Sequence, residues 1–147
     1  MTRLLALDIG AKRIGVAVSD ESQLLATPLT TITRASKRED FEMIAKLIAA
    51  HRAEKLIVGL PRTLRGEEGP QAARVRRYAE ALTATIDIPV VFQDERYTTV
   101  EAEERLAGSP RRRRRPGDID AAAAAIILQD YLDGRRTDDE GRMTKAE

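Results

Sequence analysis

The sequence has no cysteine and no tryptophan, one histidine, and only three tyrosines and two phenylalanines in 147 residues. Without cysteine there is no disulfide, no thiolate metal site and no cysteine nucleophile. With so few rings, base stacking cannot be the main mode of contact with a nucleic-acid partner. The lone His51 ends an amphipathic segment and reads as a cation at a helix C-terminus rather than a metal ligand. No apolar run approaches the roughly 20 residues of a membrane span. Charged residues follow the first short apolar run too soon for a signal peptide, so a cytoplasmic protein without membrane contact is expected. Net charge is only +1, and bulk charge therefore names no partner.

What is present is an ordinary globular composition, 33% charged and 42% hydrophobic, in a chain long enough for one domain with a proper core. Residues 1–134 are expected to form that domain. Residues 135–147 mix acids and bases without an apolar period and are expected to be a disordered tail. Leu4-Leu5-Ala6-Leu7-Asp8-Ile9-Gly10 is the most informative segment. An unbroken apolar run closed by glycine reads as a strand buried on both faces. An unpartnered buried carboxylate is costly, so Asp8 is either neutralised by a cation or placed at the strand's exposed end, facing a cleft.

Periodicity predicts strands over 3–9, 13–19 and 28–33, then a helix capped by Ser36 and Glu39 and running to His51. A buried strand over 55–61 follows, stopped by Gly59 and Pro61. Pro70 suits the first turn of the next helix. A fifth strand begins at Pro89 and ends in Asp94-Glu95-Arg96. Thr98 and Glu101 would open a short helix, and a last helix is expected from Asp118–Asp120 to about Leu132. Three early strands suggest an antiparallel meander, and later strands alternating with helices suggest parallel pairing. The expected fold is α/β, a mixed five-stranded sheet with helices on its faces.

Three acidic spots fall at element ends: Asp8, Asp94-Glu95 and Asp118/Asp120. Sites in open α/β sheets form at the carboxyl ends of strands. At about 3.6 residues per turn, Asp120 shares the apolar face of Ala124, Ile127, Leu128 and Tyr131, whereas Asp118 projects elsewhere. Several carboxylates without cysteine or a histidine pattern suit a hard divalent cation such as Mg²⁺, whose shell substrate phosphate completes. The run Arg111, Arg112, Arg113, Arg114, Arg115 suits a polyanion, because each neutralised phosphate releases counterions. Its alternative is a solvated loop. Arg62 and Arg65 sit in a polar loop with the same two readings.

Leu7-Asp8-Ile9-Gly10 with Lys12, Ile14-Gly15-Val16-Ala17, Val58-Gly59-Leu60-Pro61, Asp94-Glu95-Arg96 and Ile119-Asp120-Ala121-Ala122-Ala123 together resemble the YqgF/RuvX family, in order and spacing, over residues 3–133. The resemblance implies an RNase H-like fold with strand order 3-2-1-4-5, similar to the RuvC Holliday-junction resolvases. It implies Asp8, Glu95 and Asp120 as catalytic acids holding Mg²⁺ or Mn²⁺, with Asp94 assisting, and Lys12, Arg96 and the arginine run contacting the nucleic-acid backbone. The function implied is a nuclease for the 5′ end of pre-16S rRNA, or a resolvase of branched DNA; an RNA-binding assembly factor without turnover is the rival. Monomer and homodimer both remain open. One departure stands out. Many RNase H-like nucleases carry an acid at the end of the fourth strand, where this chain has Gly59-Leu60-Pro61. Glu95, two strand spacings of about 4.8 Å from Asp8, would have to take its place.

Overall fold

The computed structural model describes residues 2–62, 67–95 and 118–141, with side chains in the last segment from 119 to 135. Its elements are β1 (Arg3–Ile9), β2 (Arg13–Ser19), β3 (Ala26–Thr33), α1 (Lys37–His51), β4 (Ala53–Pro61), α2 (Pro70–Thr83), β5 (Val90–Glu95) and α3 (Asp118–Gly141). The five strands form one sheet in the order β3-β2-β1-β4-β5. β1–β2 and β2–β3 are antiparallel, while β1–β4 and β4–β5 are parallel. The expected mixed sheet and strand order are therefore found.

Strand alternation divides the core into two layers. Leu5, Leu7 and Ile9 of β1 pack with Phe41 and Ile44 of α1 and with Val75, Tyr78 and Leu82 of α2. Leu4 and Ala6 pack on the opposite face with Ala124, Ile127, Leu128 and Leu132 of α3. Covering both faces is what makes the β1 run continuously apolar. Asp8 continues the Leu4–Ala6 series and so belongs to the face covered by α3. Gly15 brings the start of that helix down onto the sheet. A Cβ there would collide with the backbone carbonyl of Asp120.

Local chemistry sets the boundaries. Ser36 caps α1 by accepting from the Glu39 amide at 3.1 Å. Its hydroxyl also donates to the Glu39 carboxylate at 3.2 Å, so the Glu39 side chain bonds the capping hydroxyl. Arg52 leaves α1 in the left-handed region, with φ 53°. Pro70 opens α2. β3 starts at Ala26, before the expected Pro28. Ala26 pairs with Ser19, and its amide donates to Gln129 Oε1 of α3 at 2.9 Å. The proline is tolerated on this edge strand next to a register shift at Val16/Ala17.

The last helix passes its expected end at Leu132 and continues to Gly141. Arg135 fastens this extension. Its guanidinium lies 5.4 Å from the Tyr131 ring and donates to Gln23 Oε1 at 2.9 Å, polar contacts to which an apolar period is blind. The short helix expected from Thr98 lies outside the described residues. No helix among the described residues is long and apolar enough to cross a membrane.

Candidate active site

Asp8 lies near the carboxyl end of central strand β1, opposite Gly15 of β2 in the ladder. The first turn of α3 rests on Gly15 through the Asp120 backbone, which brings positions 8 and 120 together from distant parts of the chain. Burial first, and then the charge of Asp120, push the Asp8 carboxyl up from 3.8 to about 6. Both causes penalise the ionised form. A cation at this point would relieve both.

Glu95 reaches the same face from the far side of β4. The Leu7–Val58 pair makes Gly59 the next residue level with Asp8, and Gly59 pairs with Gln93 of β5. A Cβ at Gly59 would lie 3.0 Å from Glu95 Oε2 and 2.5 Å from Ile127 Cδ1. The carboxylate of Glu95 thus lies over Gly59, in space that any other residue would fill. The missing acid of the fourth strand and the distance Glu95 must span are two sides of one arrangement: glycine at 59 opens the path.

Asp120 faces the sheet, as its helical period predicts. Its Oδ2 accepts from Arg13 Nε at 2.7 Å, in an ion pair whose side chains are 45% and 27% exposed. Arg13 escaped sequence reading. Alternation back from Gly15 puts residue 13 on the α3 face, and that is the signal that would have found it. Among the described residues no three acidic or histidine side chains converge as a preformed metal cage. The oxygen-only donors of Asp8, Glu95 and Asp120 nevertheless fit a hard cation, and the Asp8–Asp120 repulsion is the observation in its favour.

The remaining predicted residues separate. Asp94 alternates to the opposite face, level with buried Leu60, and its Oδ1 accepts from Arg62 Nε at 2.7 Å. It is not brought to Asp8. Arg62 also pairs with Glu68 at 3.4 Å, so this loop cation is engaged by two acids. Lys12 is exposed in the β1–β2 turn, and its carbonyl accepts from the Arg34 amide at 2.9 Å. Arg65, Arg96 and Arg111–Arg115 lie outside the described residues.

A model of the RuvX family, described as Holliday junction resolvase, matches residues 2–134. A relative from Chloroflexus aggregans is 46% identical over 134 residues, covering 90% of this chain and 94% of its own. Another, from Syntrophus aciditrophicus, is 50% identical over 133 residues, covering 89% and 88%. Both are named, provisionally, as pre-16S rRNA nucleases. Among solved structures, T. thermophilus RuvC in complex with Holliday junction substrate aligns at a TM-score of 0.59 and 18% identity, over 92% of this chain and 96% of its own. Fowlpox virus resolvase with Holliday junction DNA aligns at 0.57 and 10%, over 91% and 99%. At such identities these structures speak for the fold, which is RNase H-like. Given the family match across both core layers and the near-half identity of full-length relatives, this chain belongs to the RuvX family.

Proposed function

We propose that this chain is a divalent-metal-dependent endonuclease that hydrolyses phosphodiester bonds of nucleic acid in the cytoplasm, with the 5′ end of pre-16S rRNA as its substrate. The observation that carries the proposal is the raised Asp8 carboxyl, destabilised by burial and by Asp120 on the face that Glu95 reaches over Gly59. Asp8, Glu95 and Asp120 would hold Mg²⁺ or Mn²⁺, which when bound acidifies a coordinated water and stabilises the leaving oxygen. The protein's own contribution is to orient these oxygens from two strands and a helix. Arg13 restrains Asp120, and the burial that raises Asp8 strengthens its pull on a cation. Lys12 in the adjoining turn would steer the backbone, joined by Arg65, Arg96 and the run from Arg111 to Arg115. Arg62 would have to exchange its contacts with Asp94 and Glu68 to take part.

The family description and the resolvase-like fold favour a second substrate, branched DNA. A junction cutter must nick two strands and would act as a symmetric dimer; an RNA processor can act as a monomer. The test is cleavage of a 5′-extended 16S precursor and of a four-way junction, side by side with Mn²⁺, by the wild type and Asp8→Asn. Loss of precursor cleavage by at least about 100-fold in the variant is expected, since disturbing even a ligand's supporting partners costs 10–100-fold. Cleavage of the junction alone moves the function to DNA. Tight RNA binding with no cleavage by either form makes the protein an assembly factor.

A further inference from the structure

On the face opposite Asp8, at the same end of β1, lies a cleft of about 340 Å³ that the acidic site does not use. Its lining includes Arg34, Lys37, Arg74 and Arg77, together with Gln71 and Gly10, and among the described residues contains no carboxylate. The side chain of Arg34 is fixed. Its Nη1 donates to the Gly10 carbonyl at 2.7 Å, and its guanidinium lies 4.5 Å from the centre of the Tyr78 ring. Asp40, which offsets the Arg34 charge from 3.9 Å, is 3% exposed and takes the Tyr78 hydroxyl at 2.9 Å.

The other three cations are not offset in this way. Among the described residues Lys37, Arg74 and Arg77 make no ion pair, although their neighbours Arg38 and Arg76 pair with Glu42 and Glu68. A solvated helix face normally interleaves acids with bases at i,i+4. Here the positions four residues on either side of Arg74 and Arg77 are Pro70, Tyr78, Ala73 and Ala81, and Glu80, three residues beyond Arg77, acts on Arg76 and makes no ion pair with Arg77. Gln71, Arg74 and Arg77 form one stripe of α2 at three-residue spacing, and Lys37 in the first turn of α1 lies across the cleft from it. Gly10 and Ala11, in the lining, belong to the turn that carries the chain from Asp8 into β2. A strand passing over this turn would therefore meet the acids on one side and the cations on the other.

We propose that this cleft binds the sugar-phosphate backbone of a single nucleic-acid strand beside the scissile phosphodiester, gripping phosphates without reading bases. The proposal rests on the nuclease reading above. Its test measures binding alone, so that the two can fail separately. The full-length chain carrying Asp8→Asn is titrated, without divalent metal, into a fluorescein-labelled single-stranded RNA oligonucleotide at several salt concentrations. Single strands contribute a slope of about 0.7 in log K against log salt per phosphate contacted. Adding Lys37→Glu, Arg74→Glu and Arg77→Glu is expected to lower that slope by about 2 and to weaken binding by about 10- to 100-fold at low salt.

Neutralising only Lys37→Gln and Arg74→Gln, a change less able to disturb folding, should lower the slope by about 1.4. An unchanged slope and affinity in both variants overturns the cleft and leaves the nuclease reading intact. A parent chain that binds no RNA likewise overturns the cleft, and the nuclease reading is then decided by the cleavage test above. Inorganic phosphate serves as the competitor: displacement of the RNA at micromolar phosphate would make this a site for the free anion and overturn the strand proposal, whereas displacement only through bulk ionic strength supports it.

Discussion

Folding carries Asp8 out of water to a place shared with Asp120, and its carboxyl rises from 3.8 to about 6. The folded chain therefore binds this proton more tightly than the unfolded chain. Below about pH 4 the group is protonated in both states and exacts no penalty. As pH climbs toward 6 a penalty against folding develops, and it is complete above that. Asp8→Asn removes it, so the variant should be more stable than wild type at pH 7, by about 1–3 kcal/mol at 1.36 kcal/mol per unit. That corresponds to about 2–12 °C in Tm. The gain should vanish at pH 3.5. Thermal melts of both proteins at the two pH values decide it, and a variant less stable at pH 7 would contradict the like-charge geometry. Tyr78 gives the opposite sign. Its hydroxyl bonds buried Asp40 at 2.9 Å, and Tyr78→Phe leaves that carboxylate short of a donor. A loss of about 1–3 kcal/mol is expected, read from the urea midpoint.

Two glycines determine how the elements fit together, and they should respond differently to the same substitution. At Gly15 a Cβ meets the backbone of Asp120 and Ala121, which cannot swing aside. Gly15→Ala must lift the first turn of α3 off β2, at a cost of about 1–3 kcal/mol or more. At Gly59 the obstacles are the ends of the Ile127 and Glu95 side chains, which can yield. Gly59→Ala should therefore cost less stability than Gly15→Ala in a chemical denaturation series, while displacing the Glu95 carboxylate from its path toward Asp8. The elements themselves were legible in the sequence because local signals agreed: the apolar runs of β1 and β4, the Ser36 cap and Pro70. The ends of β3 and α3 were not. They depend on contacts across the molecule, Ala26 with Gln129 and Arg135 with Gln23, which leave no mark on local periodicity.

At the scale of the whole molecule, the sequence identified Asp8 and Asp120 as neighbours through element ends and helix phase. Alternation along β2 offered Arg13 as a partner for Asp120, but nothing local marked Gly59 as the opening for Glu95, which follows from the register of β4 with its neighbours. Alternation along β5, followed strictly, would have separated Asp94 from Glu95, since adjacent residues face opposite sides. Asp8, Glu95 and Asp120 come from two strands and a helix that only folding brings to one face, so a cation held by the proposed trio must stabilise folding by mass action. At a concentration 100-fold above Kd, one bound ion contributes about 2.7 kcal/mol. For a chain of this size that is a rise of about 5–10 °C in Tm. Wild-type protein should show this rise with saturating Mn²⁺ or Mg²⁺, and Asp8→Asn should lose most of it. Gly59→Ala should lose part, because it disturbs Glu95 and leaves Asp8 and Asp120 in place. Equal shifts in all three proteins would put the ion elsewhere on the surface. No shift in the wild type would show that the Asp8–Asp120 repulsion is relieved by Arg13 and protons alone, and the metal-dependent mechanism would have to be abandoned.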